Sequence, residues 1–146
     1  MDPDCEFCQI VWGERPARVV ADAPDALAFF PLRPVCPGHT IVIPKTHVPD
    51  LWAASSLLSA GLMQAVIRVG HAIDTALRPD GLNLISSAGQ AASQTVFHLH
   101  LHVVPRWAGD RLGSIWPPSP PFGEEVKDET AAAIRAAYAA ISAGAQ

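Results

Sequence analysis

The chain has 146 residues, enough for one domain with a substantial core, and its hydrophobic fraction of 49% excludes an intrinsically disordered chain. A net charge of −4 provides no basic surface for nucleic acid, and three cysteines are an odd number for a secreted disulfide framework. The acidic start lacks a signal-peptide pattern, and no apolar run approaches the length of a membrane span. We therefore expect a cytoplasmic protein without membrane or nucleic-acid partners.

Three strands are predicted in the first third of the chain. Residues 17–21 and 26–30 are apolar runs separated by a short turn that contains proline and two aspartates. Residues 40–43 form a third run, bounded by Pro37-Gly38 and Pro44. Turns of this kind favour antiparallel pairing.

A long helix follows, with Asp50 as its expected N-cap and an end near Leu77. Its apolar residues recur at spacings of three and four and predict one buried face: Leu58, Leu62, Val66, Val69, Ile73 and Leu77. The remaining elements are a strand at 82–86, a loop of small residues at 88–93, a strand at 96–105, a loop rich in Pro, Gly and Trp, and a helix at about 124–142. The order predicts an α+β fold, with an antiparallel sheet of about five strands, one long central helix and a C-terminal helix.

The strand at 96–105 contains three histidines that alternate with apolar residues. A period of two places His98, His100 and His102 on one side of a strand, whereas Phe97, Leu99, Leu101 and Val103 occupy the other. Three polar rings in a row indicate a site rather than packing, although a surface strand with incidental histidines would have the same pattern.

One metal ion held by all three rings is disfavoured by geometry. At about 3.3 Å per residue, the first and third histidines lie roughly 13 Å apart, too far for bonds of about 2 Å to one zinc. We expect one ring to serve a metal and the others a substrate. A neutral imidazole is a competent nucleophile toward phosphorus when an acceptor holds its other N–H group.

Four segments carry a resemblance to a known family. Residues 98–104 have the pattern His-x-His-x-His-x-x, residues 37–47 contain Pro-Gly-His, and Gln94-Thr95-Val96-Phe97 precedes the histidines. Together they resemble the histidine triad (HIT) family, and Cys5-x-x-Cys8 is similar to the start of its bacterial zinc-containing branch. The resemblance implies a single domain over 1–146, with a metal-binding arm at about 1–16 and a C-terminal loop and helix at about 105–146. It also implies a homodimer.

The resemblance implies roles for three histidines. His100 corresponds to the nucleophile that attacks the α-phosphorus of a nucleotide, and His102 corresponds to a donor toward the phosphate or the leaving group. His39 corresponds to the supporting histidine of the Pro-Gly-His segment, although a ring satisfied by backbone groups is the simpler alternative. The implied activity is hydrolysis of a dinucleoside polyphosphate or a nucleotide phosphoramidate, which releases AMP or a similar nucleoside monophosphate.

Substrate-binding residues are expected mainly in the turn before the triad. Ser93, Gln94 and Thr95 are candidates to supply backbone N–H groups and a hydroxyl to phosphate. Ser93 stands where the family usually has glycine, and Ser87 stands where it often has asparagine. In the ribose-binding region, Pro31 replaces an acid and Arg33 replaces an asparagine. These departures put the preferred substrate in doubt and leave the nucleophile unaffected.

A zinc site is the second expectation. Cys5 and Cys8 have the spacing of half a tetrahedral site, and the resemblance implies that His47 and His98 complete a structural Cys2His2 set. A redox pair and two reduced thiols without a ligand are the alternatives. Cys36 has no evident partner and is expected to be a small core residue.

Three other functions compete with hydrolysis. A nucleotidyltransferase would pass the nucleotide to an acceptor other than water, but the related transferases have glutamine at the third triad position, where this chain has His102. A non-catalytic nucleotide-binding protein would not need an intact triad. A metal-dependent hydrolase with the triad as its ligands is disfavoured by strand geometry.

Overall fold

The computed structural model describes residues 2–116 and 122–144, and the chain divides into two compact units after Gly113. The first unit contains, in chain order, α1 (Glu6–Val11), β1 (Arg18–Asp22), β2 (Ala26–Phe30), β3 (Thr40–Pro44), α2 (Ser56–Leu77), β4 (Gly81–Ser86), a 3-10 turn (Gln90–Ala92) and β5 (Leu101–Arg106). The second unit contains α3 (Glu124–Gly144). The prediction of a single domain over the whole chain stays a prediction.

The five strands form one antiparallel sheet in the order β1-β2-β3-β5-β4. The last strand of the chain inserts between β3 and β4, so that β1 and β4 are the edges. This arrangement confirms the predicted α+β fold with five strands and a long helix. The predicted bounds of β2 agree with the structure, whereas β5 does not begin where expected.

The two faces of the sheet bury different clusters because side chains alternate along each strand. One face packs against α2 and contains Ala28, Val42, Leu99 and Val103 together with the apolar side of the helix. On the opposite face, Leu27, Phe29, Ile41 and Ile43 of β2 and β3 pack with Cys5, Phe7 and Cys8 from the start and first turns of α1. The α1 side of the sheet therefore holds Cys5 and Cys8.

The predicted cap of α2 is wrong. Ser55 is the N-cap, and its hydroxyl accepts a hydrogen bond from Leu58 N at 3.2 Å. Asp50 instead accepts from Ala53 N at 3.1 Å, in a separate turn before the helix. Both side chains accept from a backbone N–H group three residues ahead, and the sequence alone did not distinguish a turn from a helix start.

The strand predicted at 96–105 is correct only in its second half. β5 begins at Leu101, and its pairing with β3 begins with Leu101 opposite Val42. Before it, Leu99 N donates to Val48 O at 2.7 Å rather than to a sheet neighbour, and Phe97 is 45% exposed. The chain bends here because its hydrogen bonds go to the segment after β3, so the three histidines do not share one regular strand.

Of the described residues, α2 is long and apolar enough by length and composition to cross a membrane. The sequence did not indicate such a segment, because polar residues such as Arg68 and Asp74 interrupt every long apolar run in this region. The core helix of a globular protein meets the same criteria of length and composition, and α2 packs its apolar side on the sheet.

In the second unit, α3 ends two residues later than predicted, at Gly144. The expected loop at 105–123 starts later than predicted, because β5 continues through Arg106, and residues 117–121 lie outside the described residues.

Gly38 occupies a position where a side chain does not fit. Its φ is +83°, and a Cβ atom would overlap Leu77 Cδ1 and press on Pro105. We expect Gly38→Ala to lower the free energy of unfolding by about 2–4 kcal/mol, through backbone strain and overpacking. Gly13→Ala is the matched control, since Gly13 has φ +77° and open space around it, and it should cost only about 1 kcal/mol. Urea unfolding measures both, and equal losses would contradict the overlap.

Candidate active site and metal centre

Two cysteines and two histidines converge on the α1 side of the sheet. The donor atoms of Cys5, Cys8, His47 and His98 all lie within 4.8 Å of one another. Cys5 Sγ is 3.5 Å from His98 Nδ1, and Cys8 Sγ is 3.4 Å from His47 Nδ1 and 3.7 Å from His98 Nδ1. A tetrahedral zinc with ordinary bond lengths separates sulfur and nitrogen donors by about 3.5 Å. The four residues therefore fit a zinc ion.

Local structure orients these ligands for a metal. His98 Nε2 donates to Pro44 O at 2.8 Å, which leaves the lone pair of Nδ1 facing the sulfurs. Both cysteines are buried and free of disulfide bonds, and burial raises the pKa of the Cys5 thiol. Buried thiolates need a nearby cation, and zinc supplies it. Two imidazoles beside the thiols favour a metal site over a redox pair.

Of the triad, only His98 belongs to this cluster. His100 is 7% exposed, and its Nδ1 donates to His98 O at 2.7 Å. That bond assigns the lone pair of His100 to Nε2. The three rings therefore divide between a metal and a second site, and a metal ion held by all three does not agree with the structure.

His39 and His102 form a chain of hydrogen bonds that assigns their tautomers. Val35 N donates to His39 Nδ1 at 3.1 Å, so the ring hydrogen of His39 lies on Nε2. His39 Nε2 then donates to His102 Nδ1 at 2.9 Å, and the remaining hydrogen of His102 lies on Nε2. His102 thus presents an N–H donor.

Burial keeps these rings neutral. Desolvation lowers the pKa of His39, and it lowers the pKa of His102 to about 4, with smaller contributions from His100 and His39. Near neutral pH, His102 is a neutral donor beside His100, with 5.1 Å between the ring centroids. A ring with a free Nε2 lone pair and a ring with a free N–H donor therefore stand side by side.

The turn before the triad differs from expectation. The N–H groups of Ser93 and Gln94 donate to Gln90 O and Gly89 O, at 2.9 and 3.2 Å, and are not available to phosphate. The Gln94 side chain is 3% exposed, and its amide bonds to protein groups. Thr95 is exposed, and no other described residue takes up its N–H group or hydroxyl. Of the three candidates, Thr95 is the one with free backbone and side-chain donors.

Two further candidates lie at the margins. Ser86 pairs with Leu101, so Ser87 lies one residue beyond the β4–β5 pairing, beside the position of His100. Arg33 is exposed in the loop before His39, and no hydrogen bond or ion pair joins it to another described residue.

Phe7 also lines the site, although it was not predicted from the sequence. Its ring packs edge-on against His98 and His100, with centroids 5.9 and 5.4 Å apart. Its position between Cys5 and Cys8 could have indicated this, because a residue between two metal ligands lies close to the metal site. The backbone oxygens of His98 and Pro44, which accept hydrogen bonds from the histidine rings, could not be predicted in this way, because every residue carries a carbonyl group.

The family model described as HIT domain matches residues 12–109. The chain belongs to the HIT family. It is 38% identical to "Protein hit" of Bacillus subtilis over 77% of this chain and 79% of that protein. It is 35% identical to adenosine 5'-monophosphoramidase hnt1 of Schizosaccharomyces pombe, over 84% and 90%, and 34% identical to adenylylsulfatase HINT3 of Arabidopsis thaliana, over 75% and 58%.

Solved structures agree in fold. A Streptococcus mutans protein has a TM-score of 0.88 at 34% identity and covers 94% of this chain and 87% of its own. A Zn-bound histidine triad family protein from Mycobacterium smegmatis has a TM-score of 0.72 at 38% identity and covers 97% of both chains. Together with the donor distances, this relative identifies zinc as the cofactor that the Cys2His2 cluster fits.

Proposed function

We propose that the protein hydrolyses a nucleotide at its α-phosphorus through a nucleotidyl-histidine on His100, and releases AMP or a similar nucleoside monophosphate. The observation that carries the proposal is the bond from His100 Nδ1 to His98 O, which leaves a lone pair on Nε2. A ring held in this way meets the two requirements of a nitrogen nucleophile, a defined tautomer and a fixed direction.

The reaction has two displacement steps. His100 Nε2 attacks phosphorus, a nitrogen–phosphorus bond forms, and the leaving group departs with the electron pair of its bond. Water then attacks phosphorus, its proton passes to solvent, and the nitrogen–phosphorus electron pair returns to the ring. His102 Nε2–H and the Thr95 hydroxyl would donate hydrogen bonds to the phosphate oxygens as charge develops on them.

The metal has a structural part in this proposal. Zinc bound to four protein ligands keeps no open position for water, so it holds α1 and His98 in place. Phe7, which also belongs to α1, packs edge-on against the ring of His100. No chemical step passes through the metal.

The relatives favour an adenylyl substrate. One is named an adenosine 5'-monophosphoramidase and another an adenylylsulfatase, and both names describe cleavage beside an adenylyl group. We therefore rank adenosine phosphoramidates first and dinucleoside polyphosphates second. Chromatographic detection of AMP from both substrates, with wild type and His100→Ala, tests the proposal.

We also propose that the protein is a homodimer through edge strand β4. Leu82 and Leu84 on this strand are 42% and 40% exposed, and Met63 and Ile67 of α2 are 41% and 52% exposed. Leu82 lies against Gly70, which shares the helix face of Met63 and Ile67. An open strand edge beside exposed apolar side chains is typical of a surface that pairs with a second copy.

Light scattering after gel filtration should give twice the chain mass of 15.5 kDa for the wild type. Ile67→Lys should shift the protein to monomer, with at least about tenfold weaker association, because a charge at an apolar interface must be desolvated. Leu57→Lys is the control, since Leu57 is 85% exposed and lies at the N-terminal end of α2, away from Ile67. A monomeric wild type, or a dimeric Ile67→Lys, would contradict this interface.

A further inference from the structure

The side chain of Gln94 joins three segments around the proposed site. Its Oε1 accepts from Gly89 N at 2.7 Å, and its Nε2 donates to Pro49 O at 2.6 Å and to Val96 O at 3.1 Å. Both amide hydrogens are used, and the side chain is buried. The amide thus ties the loop before the triad to the segment after the metal ligand His47 and to the chain that enters the triad.

The same residue also closes the loop on itself. Gln94 N donates to Gly89 O at 3.2 Å, so Gly89 and Gln94 exchange two hydrogen bonds across the 3-10 turn. Within this ring, Ser93 has a φ of +67°, a left-handed conformation that is unfavourable for serine. A strained residue persists only where the surrounding bonds hold it, and the Gln94 bonds supply that constraint.

Direct contact between the Gln94 amide and a substrate does not agree with this geometry. Both amide hydrogens already have acceptors, so donation from Nε2 to a phosphate oxygen would leave a buried carbonyl group of the protein without its donor. The backbone N–H group of Gln94, which was expected to bind phosphate, donates to Gly89 O instead. Thr95, the next residue, is exposed, and no other described residue accepts from its N–H group or its hydroxyl.

We infer that Gln94 is a positioning residue, which fixes the loop so that the Thr95 donors meet the phosphate in the transition state. The inference rests on the proposed function. Misplacement of reacting groups by about 1 Å costs about 100-fold in rate, so a residue that sets loop shape affects kcat without contact with the substrate.

Gln94→Met tests this role, because it keeps the length of the side chain and removes the amide. Gln90→Met is the matched control, since Gln90 is an exposed glutamine of the same turn. Both zinc-loaded variants are compared with wild type in kcat and KM for AMP release from an adenosine phosphoramidate. We expect Gln94→Met to lower kcat by about 10–100-fold with KM within about threefold, and Gln90→Met to have no effect.

Hydrogen exchange provides a readout that does not depend on activity. The Gly89 amide donates to Gln94 Oε1, so its exchange should become at least about tenfold faster in Gln94→Met and stay unchanged in Gln90→Met. Gln94→Glu serves if the methionine variant does not fold. It keeps an acceptor for Gly89 but loses both donors, so we expect a protected Gly89 amide and a lowered kcat.

Three results would overturn the inference. A rise in KM with unchanged kcat would show a direct ground-state contact with the substrate. An unchanged kcat in Gln94→Met would show that the amide is dispensable. If Gln94→Met does not fold, an unchanged kcat in Gln94→Glu would show the same for the amide donors. An unchanged Gly89 exchange rate in Gln94→Met would show that the amide does not hold the loop. If the wild type released no AMP, the proposed function would fail, and Gly89 exchange would still decide whether Gln94 holds the loop.

Discussion

His100→Ala is expected to lower kcat for AMP release by about 10⁴-fold or more, because it removes the atom that forms the covalent bond to phosphorus. The zinc content and the melting temperature should remain close to those of the wild type. Among the described residues, the lost ring makes one hydrogen bond, to the backbone oxygen of His98, and none to the donor atoms of the metal cluster. The effect should therefore appear in the rate and not in the fold.

The measurement combines chromatography of AMP with mass spectrometry of the rapidly quenched enzyme. The wild type should show a protein mass increased by one nucleotidyl group, and His100→Ala should not. His71→Ala is the control, since His71 is an exposed histidine on α2. AMP release at equal rates from wild type and His100→Ala would exclude the covalent mechanism. No release from either would direct attention to a different base or leaving group, or to a binding function.

Cys8→Ser is expected to abolish stoichiometric zinc binding and to lower the melting temperature by at least about 10 °C, because the free energy of metal binding contributes directly to folding. Cys8 is fully buried, and its Sγ lies near both ligand imidazoles. The loss should also release Phe7 from the His100 ring, so activity should fall together with the structure of the arm.

Cys36→Ser is the matched control, because Cys36 lies outside the cluster and its Sγ donates to Pro105 O. Metal analysis and calorimetry should give this variant the zinc content and the melting temperature of the wild type, within error. One bound zinc per chain and an unchanged melting temperature in Cys8→Ser would contradict the ligand set. Immediate loss of AMP release on chelation, before any unfolding, would favour a metal-dependent hydrolase instead.

Local patterns in the sequence determined much of the fold. β2 has the predicted bounds, and the buried residues of α2 include Leu62, Val66, Val69 and Ile73 of the predicted face, because apolar period alone decides which side of an element is buried. The cap at Ser55 and the start of β5 at Leu101 were missed. In both places a hydrogen bond to another backbone group decided between two local structures that the sequence permits equally.

The chemistry of the site was also present in the sequence, as a list of groups without an arrangement. Alternating histidines and a Cys-x-x-Cys pair predict a metal site and a nucleophile, since few other roles need these residues at these spacings. The tertiary structure placed His98 beside the two cysteines and His100 outside that cluster. Cys8 meets His47 across 39 positions and Cys5 meets His98 across 93, and only chain folding joins groups so far apart. It also decided the tautomers of His98 and His100 and the hydrogen bonds of the Gln94 amide, because backbone groups are the partners and every residue carries such groups.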